Sequence, residues 1–212
     1  MDIETHSSME SIRTKNQQDS TPMLPKVLRE LVETILLALA IFVTVNIITA
    51  RFRIEGDSML NSFKDGQYII VNRLAYKFHA PERGDVVVFI PSVSTTTTFW
   101  ENILGRPGQT DYIKRVVATP GDIVEITSGK LYVNGMMQSE PYLREPMMVT
   151  DTQQWQLEAD QYLVLGDNRN FSKDSRTLNI GPVTIQQILG KVSIVYFPFR
   201  DAHIVRPETY QN

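Results

Sequence analysis

The chain has 212 residues, enough for one ordinary domain with an extension or for two small domains. Its apolar content of 42% suffices for a core, and its net charge of -3 gives no electrostatic case for nucleic acid. The absence of cysteine excludes disulfides, thiolate metal sites and a cysteine nucleophile, while saying little about compartment.

Residues Met1 to Met23 are rich in Ser, Thr, Asn and Gln and show no apolar period. Residues 1–27 are therefore expected to be a disordered polar tail, with Pro22 and Pro25 near its end. From Leu31 to Ala50 the chain is almost wholly apolar, and a helix of that length, at about 1.5 Å per residue, spans about 30 Å, a bilayer core. Residues 28–50 are expected to form one retained transmembrane helix, with Glu33 close enough to one end to reach the headgroups. A buried helix of a soluble protein is usually shorter, and a cleaved signal peptide starts earlier and has a shorter apolar run. Arg13, Lys15, Lys26 and Arg29 lie on the N-side of the apolar run, against Arg51, Arg53 and Lys64 on its C-side. The imbalance leans toward a cytoplasmic N-terminus.

Residues 51–212 have a different texture: short runs such as QYIIVNRL, GDVVVFI, DYIKRVV, DIVEIT, KLYVNG, YLVLGD and KVSIVYF, punctuated by Gly, Pro, Asp and Asn. They predict a mainly β domain, an antiparallel sandwich or irregular barrel, with a short strand over Phe52 to Glu55 and a hairpin turn at Asn134-Gly135. Residues 92–110, containing TTTT and GRPGQ, predict a long loop or an extended hairpin tip.

The chemistry has to come from few places. The histidines His6, His79 and His203 are scattered, and there is no GxSxG, HExxH or P-loop. The run from Asp167 begins like a calcium loop, but its sixth position is Ser172 and its twelfth Leu178, so metal binding is not expected. Three segments stand out. Gly56-Asp57-Ser58-Met59 puts a serine beside a glycine turn, with an exposed hydroxyl and an N–H available to an oxyanion. Taken alone, a Ser/Asp turn is ordinary. Tyr112-Ile113-Lys114-Arg115-Val116-Val117 places two cations on opposite faces of an apolar strand. A buried lysine loses proton affinity and becomes a candidate base, although a snorkelling lysine is the commoner case. Gly166 to Arg176 interleaves two aspartates and two arginines with serines, a pattern better suited to a hydrogen-bonded scaffold than to a solvated loop.

In this order after one apolar helix, the three segments resemble type I signal peptidase, the bacterial-type leader peptidase. The family's serine box is similar to Gly56 to Met59 and its lysine box to Tyr112 to Val117 followed by Pro120-Gly121-Asp122. Its acidic box, GDNRxxSxDSR, matches Gly166 to Arg176 at every fixed position. Lesser similarity runs through Arg83 to Val86, Leu131 to Gly135, Glu140 to Tyr142 and the strand near Pro198, so the resemblance spans about Arg29 to Arg200. It implies coiled antiparallel sheets and a serine endopeptidase with a Ser-Lys dyad. Ser58 would be the nucleophile and Lys114 the general base, Ser172 would hydrogen-bond the lysine, Asp174 and Arg176 would brace the site, and Met59 would contact substrate. It implies no metal and no cofactor. Partners would be the lipid bilayer and exported preproteins with small residues at the first and third positions before the cut. The enzyme would be monomeric, in the plasma membrane, with its catalytic domain on the extracytoplasmic side.

Two positions depart from the family pattern. Asn61-Ser62 stand where the family has Pro-Thr, so the nucleophile's turn is expected to be looser. Gly56 stands where some members have a serine that serves the oxyanion hole. Two other readings compete with an active signal peptidase. A self-cleaving repressor of the LexA type shares Ser-Lys chemistry but needs a DNA-binding helix-turn-helix in place of the apolar run. An impaired relative would only bind exported chains.

Overall fold

The computed structural model describes residues 23–91, 111–148 and 151–210. The expected tail up to residue 22 and the expected loop at residues 92–110 lie outside the described residues. The chain divides into two compact units between Thr44 and Val45, within the first helix.

That helix, α1, runs Met23–Ile48. It starts earlier than the sequence suggests, since Pro25 falls in the first turn, where no intrahelical acceptor is lost. It stops two residues sooner, because the β-branched run Ile47-Ile48-Thr49 loses side-chain freedom in a helix, and Thr49 and Ala50 pair with Asn72 and Val71 instead. Among the described residues, Lys26–Ile48 is the helical stretch long and apolar enough to cross a membrane. Leu31, Ile35, Leu39 and Phe42 on it are exposed.

The second unit is built from two antiparallel sheets. Strands β1 (Thr49–Arg53), β2 (Tyr68–Asn72), β3 (Val86–Phe89), β4 (Tyr112–Ala118), β9 (Gln161–Leu165), β10 (Val183–Thr184), β11 (Ile188–Phe197) and β12 (His203–Ile204) make the larger, with the order β1-β2-β11-β3-β4-β9-β10 and β12 on β11. It is a curled half-barrel. The smaller sheet has the order β7-β6-β5-β8, from β5 (Ile123–Thr127), β6 (Lys130–Val133), β7 (Met136–Met137) and β8 (Gln153–Gln156). Val117, Leu163 and Leu165 from the larger sheet bury against Val124, Ile126, Leu131 and Val133 of the smaller. A second core lies under β1, β2, β3 and β11 and includes Ile54, Met59, Phe63, Ile69 and Val88. Each such side chain contributes about 1.5–3 kcal/mol on removal from water.

Every β-run read from the sequence forms a strand, and Asn134 and Gly135 turn β6 into β7 with φ of 52° and 79°, as a type I′ turn requires. A second such turn, Ser128-Gly129 between β5 and β6, has φ of 51° and 71°. The short strand expected at Phe52 to Glu55 lies three residues earlier at its start, as β1. Strand β8 carries only one apolar residue, Trp155, among glutamines, and forms because β5 offers it an edge. Strands β7, β10 and β12 are two residues each, too short to show a period.

Among the described residues, the buried charged side chains of this unit other than Lys114 are paired. Arg169 and Glu140 approach to 2.6 Å with side chains 0% and 7% exposed, and Arg169 also reaches the Tyr142 hydroxyl at 3.2 Å. Arg83 holds Asp122 at 2.6 Å, and Lys191 holds Asp85 at 2.5 Å. Breaking a buried pair leaves a naked charge, whereas removing both partners does not. Arg169→Met is therefore expected to destabilise by about 3–5 kcal/mol in urea unfolding of the full chain, and the double variant Arg169→Met/Glu140→Met by clearly less than Arg169→Met alone.

Candidate active site

Gly56 introduces the turn that carries Ser58. Its φ of 81° is a left-handed conformation open to glycine, and its N–H donates to Asp65 at 2.8 Å. After Ser58 the chain closes on itself through Leu60 N–H to the Asp57 carbonyl at 3.1 Å and Phe63 N–H to the Met59 carbonyl at 2.9 Å. Met59 is 1% exposed and packs with Ile54, Phe63 and Val88. It is absent from the cleft lining, and its long apolar side chain next to the serine anchors the turn from below.

Strand β4 delivers the two cations to opposite sides, as alternation demands. Both are buried. Lys114 Nζ lies 2.6 Å from Ser58 Oγ and 2.8 Å from the Ile113 carbonyl. It also sits 5.7 Å from the centroid of the Tyr112 ring. Burial strips water from the ammonium and pushes its pKa down to about 8; Asp174 and Asp167 pull it up and Arg176 pushes it down. Arg115 reaches the other way, to Asp167 through two hydrogen bonds of 2.9 and 2.6 Å and to the Gly84 carbonyl at 2.9 Å. Its guanidinium also stacks 4.4 Å from the centroid of Tyr142.

The loop from Gly166 to Arg176 closes over the serine turn. Asn168 donates its backbone N–H to the Ser58 carbonyl and its side-chain amide to the Asp57 carbonyl, both at 3.0 Å. Asp167 accepts the Ser62 hydroxyl at 2.5 Å while holding Arg115. Gly166 is needed for proximity: a Cβ there would lie 2.5 Å from the Ser58 carbonyl oxygen and 2.2 Å from Ser172 Oγ. Asp174 accepts the Gly166 N–H at 3.0 Å and both edges of Arg176 at 2.8 Å. Burial by itself would raise the Asp174 carboxyl, but the Arg176 guanidinium and the Gly166 N–H hold it below the usual carboxylate range.

The site residues expected from the sequence are thus brought together, with one bond missing. Among the described residues, Ser172 and Lys114 form no hydrogen bond to each other; the Lys114 amine spends its contacts on Ser58 and Ile113. The looser turn expected from Asn61-Ser62 is instead tied from outside. Ser62 keeps the hydroxyl that reaches Asp167, and the Asn61 amide lies 3.5 Å from the Tyr142 carbonyl. Sequence reading left Arg115, Asp167, Asn168 and Ser62 without roles. The signal was present in the GDN run and in the second cation of β4, but which carbonyls they meet is a tertiary fact.

A cleft of about 520 Å³ opens on the pair, lined by Phe52 to Ser58, Ile69, Val88, Asp111 to Lys114, Phe171 and Lys173. Strand β4 pairs with β3 from Tyr112 onward but with β9 only from Arg115. The edge of Tyr112 to Lys114 therefore has no strand neighbour among the described residues and faces a space for an extended chain. No cluster of three or more His, Asp or Glu suited to a metal occurs among the described residues.

Comparison with known proteins places this arrangement. The family model described as signal peptidase, peptidase S26, matches residues 28–197. Signal peptidase IB of Staphylococcus aureus strain Mu50 is 36% identical over 208 residues, covering 89% of this chain and 100% of that protein. Signal peptidase I of Leptolyngbya laminosa is 33% identical over 184 residues, 84% of each chain. The crystal structure of a signal peptidase I from Enterococcus faecalis V583 is 28% identical, covers 52% of this chain and 95% of that one, and aligns with a TM-score of 0.40. With the family model spanning most of its length and relatives a third identical along nearly all of it, the chain belongs to the signal peptidase family, peptidase S26, and is a serine-type endopeptidase.

Proposed function

We propose that this protein is a membrane-anchored signal peptidase that removes signal peptides from exported preproteins through a Ser58-Lys114 dyad. The observation that carries the reading is the 2.6 Å approach of a buried lysine amine to a serine hydroxyl at an open strand edge. In the proposed reaction neutral Lys114 Nζ takes the Ser58 proton as Oγ attacks the scissile carbonyl. The oxyanion forms beside the Ser58 N–H, for which no acceptor occurs among the described residues. The C–N bond then breaks as the lysinium gives its proton to the leaving amine, leaving an ester on Ser58. Lys114 next takes a proton from water, which attacks the ester and frees the serine.

The open edge of Tyr112 to Lys114 suits a substrate held as an added strand, so main-chain bonds supply affinity and shallow pockets supply the preference for small residues before the cut. Helix α1 anchors the enzyme in the plasma membrane with its N-terminus cytoplasmic and its catalytic unit outside. The enzyme works as a monomer, without metal or cofactor. The impaired-relative reading would require a broken dyad, and the two groups lie within hydrogen-bond distance.

Three outcomes test this reading. Incubating detergent-solubilised protein with a preprotein whose signal ends in A-x-A should yield the mature chain. Ser58→Ala and Lys114→Ala should each abolish cleavage, and the double variant should lose no more than either, because the residues act as one unit. Substantial turnover by either single variant removes the mechanism.

Cleavage should also rise with pH. With a base of pKa about 8, the neutral fraction of Lys114 grows about tenfold per pH unit below that value and levels above it. Lys114→Arg should be inactive, since a guanidinium stays protonated throughout. A limb that vanishes in His79→Ala or His203→Ala would assign the base elsewhere.

The same burial has a stability consequence. A lysine that titrates near 8 when folded and 10.5 when unfolded binds fewer protons in the folded state between those values. Its desolvation therefore costs about 3 kcal/mol, in full below pH 8 and fading as pH rises to 10.5. Lys114→Met should melt higher than the native chain at pH 7, with the advantage shrinking by pH 10 in calorimetry. An advantage that grows with pH would contradict a depressed lysine.

A further inference from the structure

One residue grips both carbonyls that flank the nucleophile. Asn168, 6% exposed, donates its backbone N–H to the Ser58 carbonyl and its Nδ2 to the Asp57 carbonyl. The second bond bears on catalysis through peptide geometry. The Asp57 carbonyl and the Ser58 N–H belong to one peptide unit, which is planar and trans, so the two point in opposite directions. Fixing the oxygen fixes the hydrogen. Held by the Asn168 amide, the Asp57 oxygen faces the acidic loop, and the Ser58 N–H is turned away from it and left without an acceptor among the described residues.

Within the serine turn the Asp57 carbonyl receives one bond, at 3.1 Å from Leu60 N–H, and the Asn168 amide adds a second from outside the turn. Gly56 carries no hydroxyl, so the backbone N–H has no side-chain helper from that position. From outside the turn, Asn168 is the residue placed to fix the orientation of this backbone donor.

We infer that Asn168 is the positioning residue of the oxyanion hole, aiming the Ser58 N–H by holding the Asp57 carbonyl on the far side of the same peptide. This rests on the proposed role of Ser58. Asn168 is not among the residues that line the cleft, and its bonds here go to the Asp57 and Ser58 carbonyls, not to Ser58 Oγ or Lys114 Nζ. Its effect is on the transition state, where the carbonyl oxygen becomes charged and the strength of an aimed donor rises.

The test replaces the amide donor while keeping shape and the backbone bond. N168D is isosteric and presents oxygen to the Asp57 carbonyl in place of N–H, and N168A simply removes the donor. Both, in the full-length detergent-solubilised enzyme, are expected to lower kcat by about ten- to hundredfold with KM nearly unchanged, and N168A, which adds no charge, to leave the acid limb of the pH profile where it is in the native enzyme. A signal-sequence peptide ending in alaninal, which forms a tetrahedral adduct on serine, should bind more weakly by the same factor. The corresponding peptide with a reduced scissile bond, which has no carbonyl there, should bind as before.

If N168D does not fold, N168A carries the same comparison. A kcat within about twofold of native in the folded variants overturns the inference, as does an equal weakening of the aldehyde and the reduced-bond peptide. The parent reading fails separately: Ser58→Ala that still cleaves removes the nucleophile itself. Ser58→Ala dead with normal N168D and N168A removes only the role of Asn168.

Discussion

The structure turns on one electrostatic constraint: a lysine amine held out of water against a serine hydroxyl. An ammonium in that place is costly, and the cost is what lowers its proton affinity toward neutrality. The surrounding charges are arranged so that this lowering survives. Two carboxylates, Asp174 and Asp167, are near enough to pull the lysine back toward its charged form, and each is occupied by an arginine. Arg176 and Arg115 thus act on Lys114 indirectly. They absorb negative charge that would otherwise stabilise the ammonium, and Arg176 adds direct repulsion.

The same arginines tie the site to the fold. Arg115 links β4 to Gly84, Asp167 and Ser62, so the strand that bears the lysine, the loop after β9 and the serine turn share one cluster. Gly166 permits the approach of the loop to the Ser58 carbonyl, and Asp174 holds the Gly166 N–H from the other end of the loop. Such a network is expensive to build in a core but sensitive to the loss of any member, which suits a site that must hold two reacting atoms at a fixed separation. The cores on either side need only be apolar and well packed, and valine and isoleucine strands supply that.

The fold was largely legible because its principal strands are runs of four or more residues rich in Val, Ile, Leu and Tyr, with Gly, Asp and Asn between them. Strands that rest on a neighbour's edge, such as β8 with its glutamines, carry no pattern of their own. The helix end illustrates a competition that composition hides: Thr49 and Ala50 are apolar enough for a membrane span but pair in β1. In the site, Ser58, Lys114, Asp174 and Arg176 were readable because their residue types and spacing are restrictive. Adjacency in sequence to a nucleophile does not say which way a side chain points, and that of Met59 points into the core. The bond expected between Ser172 and Lys114 is replaced by one from the amine to a backbone carbonyl, a competitor every strand residue offers and no motif records.

The central claim is that Lys114 is a base because it is buried. The most direct measurement is titration of its side chain by NMR, with lysine labelled at the ε-carbon and Lys114→Arg used for assignment. The account predicts a midpoint of about 8, with Ser58→Ala leaving it depressed because burial, not the serine, is the main cause. A midpoint near the ordinary lysine value of about 10.4 would contradict it.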